Sequence, residues 1–199
     1  MADEAKVRSP WAHFIEKCKA CTACPLHSSR QHVVVWRGSV RSKLLILGEG
    51  PGRSEDEQGI PFVGRSGQLL DDLLQALEIG PQHYHIANIV KCRPPGNRAP
   101  SLDEARACRK LLNEQFQFVR PEFIVLLGGS AYKYFTGDLE SGISRVRGRW
   151  INKGPYWIMP TFHPAYVLRD SRHRAAFWED FLQVRQKMEE FSYLDPVKG

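Results

Sequence analysis

The stretch Lys43-Leu44-Leu45-Ile46-Leu47-Gly48-Glu49-Gly50-Pro51-Gly52 decides the fold. Its run of consecutive aliphatic residues predicts a short, fully buried β-strand. The glycines and the proline that follow end this strand and predict a tight turn. Small residues in such a turn allow a ligand to approach the main chain closely. The stretch therefore predicts a buried strand that leads directly into a candidate ligand-binding loop.

Strands and helices alternate along the rest of the chain. Ser101 and Glu104 have the spacing of a capping box, which marks the start of a helix. Alternation of this kind is typical of an α/β fold in which helices cover both faces of a parallel sheet, and ligands of such sheets bind beyond the carboxyl ends of the strands. We predict further strands over residues 84–90, 123–127 and 154–161, helices over residues 66–79, 101–119, 130–135 and 171–191, and a polar loop between residues 52 and 66.

The composition is that of one folded domain spanning residues 1–199. Hydrophobic residues make up 42% of the chain and charged residues 25%, which excludes a disordered protein. The longest apolar run, residues 123–127, is far shorter than the roughly 18 residues that a membrane helix needs. Residues 1–10 lack the apolar core of a secretory signal, so we expect a cytoplasmic protein without a membrane partner. We also expect a monomer. The net charge of +6 favours a polyanionic partner.

The cysteine spacing suits a metal site. Cys18, Cys21 and Cys24 follow one another at three-residue steps, and Cys92 and Cys108 lie far downstream. Cytosolic thiols stay reduced, so we do not expect disulfides. Four thiolates bind either zinc or an iron–sulfur cluster, and a third interpretation is that these cysteines are small buried hydrophobic residues. A metal held from both ends would close a loop of roughly 70 residues, a constraint worth about 4 kcal/mol, so we favour a structural staple over a redox centre.

Three side chains near predicted strand ends are candidates for ligand binding. Phe62 lies between Pro61 and a glycine-flanked helix start, and it serves either as a stacking platform for a flat ligand or as ordinary core. Asn88 ends the second strand, where its carboxamide suits the edge of a pyrimidine or caps the following loop. His163 follows the fourth strand and either contacts the ligand or is structural.

Two basic segments, residues 145–149 and 168–174, are candidates for nucleic-acid contact. Cations are concentrated in both, and Tyr166 and Leu168 are interleaved with them near the second segment. A run of charges can also be a solvated face. The apolar residues among these cations favour contact with nucleic acid.

Taken together, these segments resemble the family 4 (type 4) uracil-DNA glycosylases. The resemblance covers nearly the whole chain, and the motifs occur in the family's order. They are Gly48-Glu49-Gly50-Pro51-Gly52, Glu55-Asp56, Gly59-x-Pro61-Phe62-Val63-Gly64, Asn88-Ile-Val-Lys-Cys92-Arg-Pro-Pro, Asn97-Arg98-x-Pro100 and Phe162-His163-Pro164.

The resemblance implies a three-layer α/β/α sandwich around a four-stranded parallel sheet. It also implies an enzyme of base excision repair in the nucleoid that turns uracil out of DNA and hydrolyses its N-glycosidic bond. One 4Fe-4S cluster is implied, with Cys21, Cys24, Cys92 and Cys108 as its ligands and Cys18 as the spare cysteine.

The same resemblance implies the roles of the site residues. Phe62 would stack on uracil, Asn88 would read its edge, and His163 would donate to the carbonyl beside the scissile bond. The first loop would contribute Glu49, Gly50 and Pro51 to the pocket. Since Gly50 has no side chain, the group that positions the attacking water is left open among Glu49, Glu55 and Asn97. Tyr166, Leu168 and Arg169 are expected at the DNA, with Leu168 and Arg169 filling the space that the flipped base vacates.

Two other functions compete with this prediction. The first is a uracil-DNA binder that becomes covalently attached and does not turn over. Relatives of that kind carry an extra basic loop with a histidine after the second strand, whereas Cys92-Arg93-Pro94-Pro95 leads directly to Asn97 here. The second is an iron–sulfur electron carrier whose basic charge is incidental.

Overall fold

A six-stranded sheet organises the computed structural model, which describes residues 9–196. Most of the segment 1–10, which we predicted to lack a secretory signal, lies outside the described residues. In the sheet the strands lie in the order β1-β3-β2-β4-β6-β5. The strands are β1 (Arg37–Gly38), β2 (Leu44–Gly48), β3 (Tyr84–Asn88), β4 (Phe123–Leu127), β5 (Ile151–Lys153) and β6 (Tyr156–Thr161).

The predicted four-stranded parallel sheet is confirmed as the core of this larger sheet. Strands β3, β2, β4 and β6 pair in parallel, and all of β2, β3 and β4 is buried. The number of strands was wrong, because β1 and β5 add antiparallel edges. These edge strands have two and three residues, which is too short for any periodic signal.

Eight α-helices lie among the described residues. The predictions over residues 66–79, 101–119, 130–135 and 171–191 are confirmed as α3, α4, α5 and α8, with ends that differ by a few residues. The capping box of α4 is present, since the Glu104 N–H donates to Ser101 Oγ (3.2 Å) and the Ser101 N–H donates to Glu104 Oε2 (2.7 Å). The helices are α1 (Pro10–Lys19), α2 (Arg53–Gln58), α3 (Arg65–Ala76), α4 (Leu102–Val119), α5 (Gly128–Thr136), α6 (Ile143–Val146), α7 (Pro164–Arg169) and α8 (Arg174–Glu190).

The polar loop predicted after residue 52 was partly wrong, because it contains α2. This helix buries carboxylates rather than apolar side chains, with Glu55 8% and Asp56 1% exposed. Asp56 Oδ1 accepts hydrogen bonds from the main-chain N–H groups of Gln31 and His32. A helix whose buried face is polar gives no hydrophobic periodicity, so the sequence pattern could not reveal it.

Side chains alternate across the sheet and build two cores, which confirms the three-layer arrangement. On β2, Leu44 and Ile46 belong to the core that α3 and α8 cover. Leu45 and Leu47 point to the opposite face and pack in the core beneath α4 and α5. No helix within residues 9–196 is both long enough and apolar enough to cross a membrane.

His85 is a fully buried polar residue in β3. Its Nδ1 donates to the Ser39 carbonyl (3.1 Å), and its Nε2 accepts from the Gln115 amide (2.8 Å). The ring also stacks on Trp36 at a centroid distance of 5.3 Å. Burial, and to a lesser extent the charge of Lys91, lowers the pKa of His85 to about 3. The folded protein therefore holds this imidazole neutral.

This buried imidazole predicts a loss of stability in acid. In the unfolded chain His85 has its ordinary pKa of 6.5. As the pH falls from 6.5 toward 3, the unfolded state therefore takes up a proton that the folded state does not. The free energy of unfolding should decrease by up to about 1.4 kcal/mol per pH unit in this window from His85 alone.

Denaturant unfolding at several pH values, on wild type and His85→Gln, measures this contribution. The variant should have a shallower dependence on pH, because its amide does not titrate. Equal slopes between pH 6 and pH 4 would show that His85 does not control acid stability.

Candidate active site

A cavity of about 520 Å³ opens at the carboxyl ends of the parallel strands. The loops after β2, β3 and β6 contribute its walls, as expected for a ligand site in a parallel sheet. It brings together nearly all the side chains that the sequence singled out. The predicted site residues that line it are Glu49, Gly50, Pro51, Glu55, Phe62, Asn88, Asn97, His163, Tyr166 and Arg169.

Asn88 supplies an unsatisfied acceptor to this cavity. Its side chain is 1% exposed, and its Oδ1 has no hydrogen-bond partner among residues 9–196. A buried acceptor without a partner costs about 1–3 kcal/mol, so a ligand N–H that reached Oδ1 would recover that cost. Asn88 is therefore suited to bind a donor on a polar ligand.

Gly48 makes room for both Asn88 and Phe62, and it was not among the predicted site residues. The parallel register pairs Gly48 with Asn88. A Cβ atom on Gly48 would collide with Asn88 Oδ1 and lie 2.6 Å from Phe62 Cζ. The absence of a side chain at Gly48 therefore lets Asn88 and Phe62 lie close together in the wall of the cavity.

Phe62 is held in an unusual main-chain conformation. Its φ is +57°, in the left-handed region that non-glycine residues rarely adopt. Gly67 of α3 packs against the Phe62 carbonyl so closely that a Cβ atom there would collide with it. The buried ring lines the cavity, with its centroid 5.9 Å from that of His163. Strain of this kind persists where surrounding packing enforces it, and it is found at functional sites.

Glu55 braces the loop that carries Phe62. Its Oε1 accepts hydrogen bonds from the N–H groups of Val63 (2.9 Å) and Gly64 (2.8 Å), and its Oε2 accepts one from Gly52 (3.1 Å). The carboxylate thus joins the loop after β2 to the loop before α3. With both oxygens engaged, Glu55 is arranged to hold the cavity wall rather than to activate a water.

The two other candidates for positioning water differ in their surroundings. The exposed Asn97 accepts a hydrogen bond from Arg93 Nε (2.7 Å) at its Oδ1. Glu49 is half-buried in the cavity wall, and its carboxylate forms no hydrogen bond with the described residues. The carboxylate of Glu49 is therefore the one available to bind a water in the cavity.

His163 is arranged as a neutral hydrogen-bond donor. The Ala165 N–H donates to its Nδ1 (3.1 Å), which requires the ring proton to be on Nε2. Burial, with a smaller contribution from the Arg169 charge, lowers the pKa of His163 to about 4. At neutral pH the imidazole is therefore uncharged, and its Nε2–H remains available for a ligand.

A buried ion pair supports the segment that leads to His163, and sequence analysis missed it. Asp180 in α8 is fully buried and pairs with Arg147. It also accepts a hydrogen bond from Thr161 Oγ1 (2.5 Å). The Arg147 guanidinium lies 5.5 Å from the centre of the Phe162 ring. The sequence suggested nucleic-acid contact for residues 145–149, but this arginine packs inward.

The candidate DNA-contact residues of α7 do not all face the cavity. Tyr166 is 38% exposed and stacks on His173, and it lines the cavity together with the exposed Arg169. Leu168 is half-buried and lines a separate groove with Trp178 of α8. Helical geometry explains the difference, because consecutive residues of a helix point in different directions.

The cysteines of both regions meet in one cleft beside the second core. Cys92 and Cys108 are buried, and Cys21 and Cys24 are half-buried. Burial raises the pKa of Cys108 to about 11 and also raises that of Cys92, where hydrogen bonding by Arg30 opposes the shift.

Cys18 borders the cleft from α1, but its surroundings are apolar. It packs with Phe14, Val35 and Leu111 in a small hydrophobic cluster, and none of its surface reaches solvent. Burial raises the pKa of its thiol to about 12.

The cleft is lined by cysteines, which can bind a metal group as thiolates, and by the positively charged Arg30. Arg30 donates to Cys92 Sγ (3.3 Å) and to the Cys21 carbonyl (2.8 Å). Within residues 9–196, no three Cys, His, Asp or Glu side chains are arranged to hold a single metal ion. The residues around the cleft fit a group bound by thiolates from the start of the chain and from the region of Cys92 and Cys108.

Comparisons with known proteins identify the family of this chain. A family model described as the uracil DNA glycosylase superfamily matches residues 35–182. The chain is similar to the type-4 uracil-DNA glycosylase of Thermotoga maritima, with 45% identity over 78% of this chain and 81% of the relative.

Two archaeal proteins of the same description are also similar. The type-4 uracil-DNA glycosylase of Sulfurisphaera tokodaii is 37% identical over 86% of this chain and 81% of its own length. That of Archaeoglobus fulgidus is 35% identical over 86% of this chain and 89% of its own length. By the extent of these matches, the chain belongs to the type-4 uracil-DNA glycosylases.

Proposed function

We propose that this protein excises uracil from DNA by hydrolysing its N-glycosidic bond, which leaves free uracil and an abasic site. One observation carries the proposal: the unpartnered Asn88 Oδ1, the Phe62 ring and the neutral His163 all line one cavity. These are an acceptor, a stacking surface and a donor for a flat heterocycle. Uracil offers an N–H, a planar ring and carbonyl oxygens in return.

Asn88 would distinguish uracil from cytosine. Its Oδ1 would accept the N3–H of uracil, and its amide N–H would donate to the neighbouring carbonyl. Cytosine has no hydrogen on N3 and carries an amino group in place of that carbonyl, so both contacts would mismatch. Buried polar groups left unpaired in this way can discriminate by about 10⁴-fold.

His163 would stabilise the departing base. When the N-glycosidic bond breaks, negative charge develops on uracil and positive charge on the sugar. The His163 Nε2–H would donate to the uracil oxygen beside the scissile bond. A fixed donor of this kind commonly contributes about 3–4 kcal/mol to catalysis, and it does not need a positive charge to do so.

Glu49 would position the attacking water. Of the three candidates, it alone lines the cavity with a side chain that forms no hydrogen bond to the described residues, whereas the side chains of Glu55 and Asn97 are engaged. Its carboxylate would hold the water and, by its charge, would also stabilise the positive sugar.

DNA would reach the cavity across the rim formed by α7. The base has to leave the duplex first, at a cost of a few kcal/mol. The exposed Arg169 and Tyr166 lie at the cavity mouth, where they would contact the DNA. Insertion of Leu168 and Arg169 into the vacated space stays a prediction, and for Leu168 it requires the side chain to leave its groove beside Trp178.

A 4Fe-4S cluster would be held by Cys21, Cys24, Cys92 and Cys108. When bound, it would supply iron–thiolate bonds that cross-link the start of the chain to the β3–α4 region. The apolar surroundings of Cys18 support leaving that residue out of the ligand set. We further propose that residues 1–199 act as one domain and as a monomer, in the cytoplasm at the nucleoid, where the DNA substrate is located.

The proposed reaction is tested on an oligonucleotide with one uracil, followed by alkaline cleavage at abasic sites. Wild type should release uracil, and His163→Ala should lower the single-turnover rate by roughly 10²–10³-fold, because the leaving group loses its donor. The same oligonucleotide with cytosine or thymine is the control.

Absence of excision by the cluster-loaded wild type would contradict the proposal. A near-normal rate in His163→Ala would contradict the role of that residue. A DNA–protein adduct on a denaturing gel before alkali would instead support the covalent binder.

The role of Asn88 is tested by Asn88→Asp. A carboxylate cannot donate to the uracil carbonyl, but it can accept from the amino group of cytosine. The ratio of kcat/KM for uracil over cytosine should therefore fall by about 100-fold or more. The matched control is Asn113→Asp on the exposed surface of α4. An unchanged ratio in Asn88→Asp would mean that another group reads the base.

The substitution Gly48→Ala tests whether the space left by Gly48 is needed to place Asn88 and Phe62. The added methyl group should displace Asn88 and Phe62, and displacements of about 1 Å can lower activity by 10²-fold. The control is Gly142→Ala, since Gly142 has an ordinary φ of −76° and open space around it. Single-turnover rates are compared alongside thermal unfolding, and wild-type excision by a folded Gly48→Ala protein would contradict the prediction.

A further inference from the structure

Lys91 is a fully buried lysine between the candidate active site and the cysteine cleft. Its exposed fraction is 0%, although it follows β3 and immediately precedes Cys92. The family resemblance gives this residue no role, and lysine side chains are almost never fully buried without a partner. Its burial therefore requires an explanation.

The contacts of Lys91 reach both sites. Its Nζ donates to the main-chain carbonyl of Asn88 (2.9 Å), the residue proposed to read the base. Lys91 also lines the cysteine cleft together with Cys92 and Cys108. Its carbonyl accepts from the Val34 N–H (2.8 Å). One residue thus connects the Asn88 segment to two of the proposed cluster ligands.

The charge of Lys91 has no carboxylate partner among the described residues. The groups that line the cysteine cleft with it and can become negatively charged by binding a metal group are the thiols, among them those of Cys92 and Cys108. A buried ammonium is costly unless an opposite charge compensates it. Thiolates bound to a cluster would provide that negative charge, and the ammonium would in turn offset the charge of the cluster.

We propose that Lys91 is a positioning residue that holds Asn88 in its base-reading place and stabilises the cysteine-bound cluster through its positive charge. The part that concerns Asn88 rests on the proposed function. One side chain would thus serve both sites, and its removal should affect both the cluster and recognition of the base.

Lys91→Met tests this proposal, since methionine has a similar length but neither the charge nor the donor. In the cluster-loaded protein it should lower the midpoint potential of the cluster and speed the loss of visible cluster absorbance in the presence of an iron chelator. Base reading is measured as the ratio of binding affinities for uracil-containing and cytosine-containing oligonucleotides, in a His163→Ala background in which excision should be much slower than in wild type. That ratio should fall by about tenfold or more.

Two control variants separate the effects. Lys110→Met makes the same substitution at an exposed position of α4 and should leave potential, cluster retention and binding ratio unchanged. Arg30→Met removes a cation that donates to Cys92 Sγ but is not bonded to Asn88. It should alter the cluster measurements and leave the binding ratio at the wild-type value.

The outcomes distinguish this proposal from the proposed function. If wild type excises uracil and Lys91→Met behaves like Lys110→Met in every measurement, the role of Lys91 is wrong and the proposed function stands. If wild type excises no uracil, the proposed function is wrong, and the potential and cluster retention still decide the role of Lys91 at the cluster. Should Lys91→Met not fold, Lys91→Gln removes the charge alone. Cluster retention in Lys91→Gln equal to that of Lys110→Met would overturn the proposal.

Discussion

The parallel pairing of β2 with β3 is the constraint on which the rest of the structure depends. Its register sets Gly48 opposite Asn88, so a residue without a side chain faces the one that would read the base. Sliding one strand by a single residue would turn alternate side chains to the wrong face of the sheet and would bury a Cβ atom where the cavity begins. The buried apolar residues of both strands prevent that slide, because they fill two different cores. Core packing therefore sets the positions of Gly48 and Asn88 in the candidate active site.

Two kinds of carboxylate line the cavity, and their hydrogen bonds separate them. Glu55 has its oxygens saturated by three main-chain N–H groups, and this arrangement fixes the strained loop that presents Phe62. The Glu49 carboxylate has no such bonds with the described residues, so it is available to a water. The cavity wall is thus braced where it would stack on a flat base and open where it would bind water. Such preorganisation is what a site needs in order to stabilise a transition state without rearranging.

Sequence patterns were sufficient for the features that depend on local order. The runs that form β2 and β4, and the capping box and periodicity of α4, carry their own signal, and the family motifs identified the side chains that meet in the cavity. Features that arise from distant contacts were not predictable. Strands β1 and β5 exist only because a neighbouring strand offers hydrogen bonds, and α2 buries charge instead of apolar surface. The pairing of Arg147 with Asp180 joins residues far apart in the chain, and nothing local to either one marks it.

A cluster bound at Cys92 would matter for more than stability. Only three residues separate the proposed base reader from this proposed cluster ligand, and Lys91 bends back within that interval to bond the Asn88 carbonyl. A cross-link at Cys92 would therefore restrain the main chain where a small displacement would most affect recognition. A cross-link elsewhere in the chain could contribute the same loop-closure entropy without this effect. Its position next to β3, rather than in a remote loop, would link the folding of the chain to the selection of its substrate.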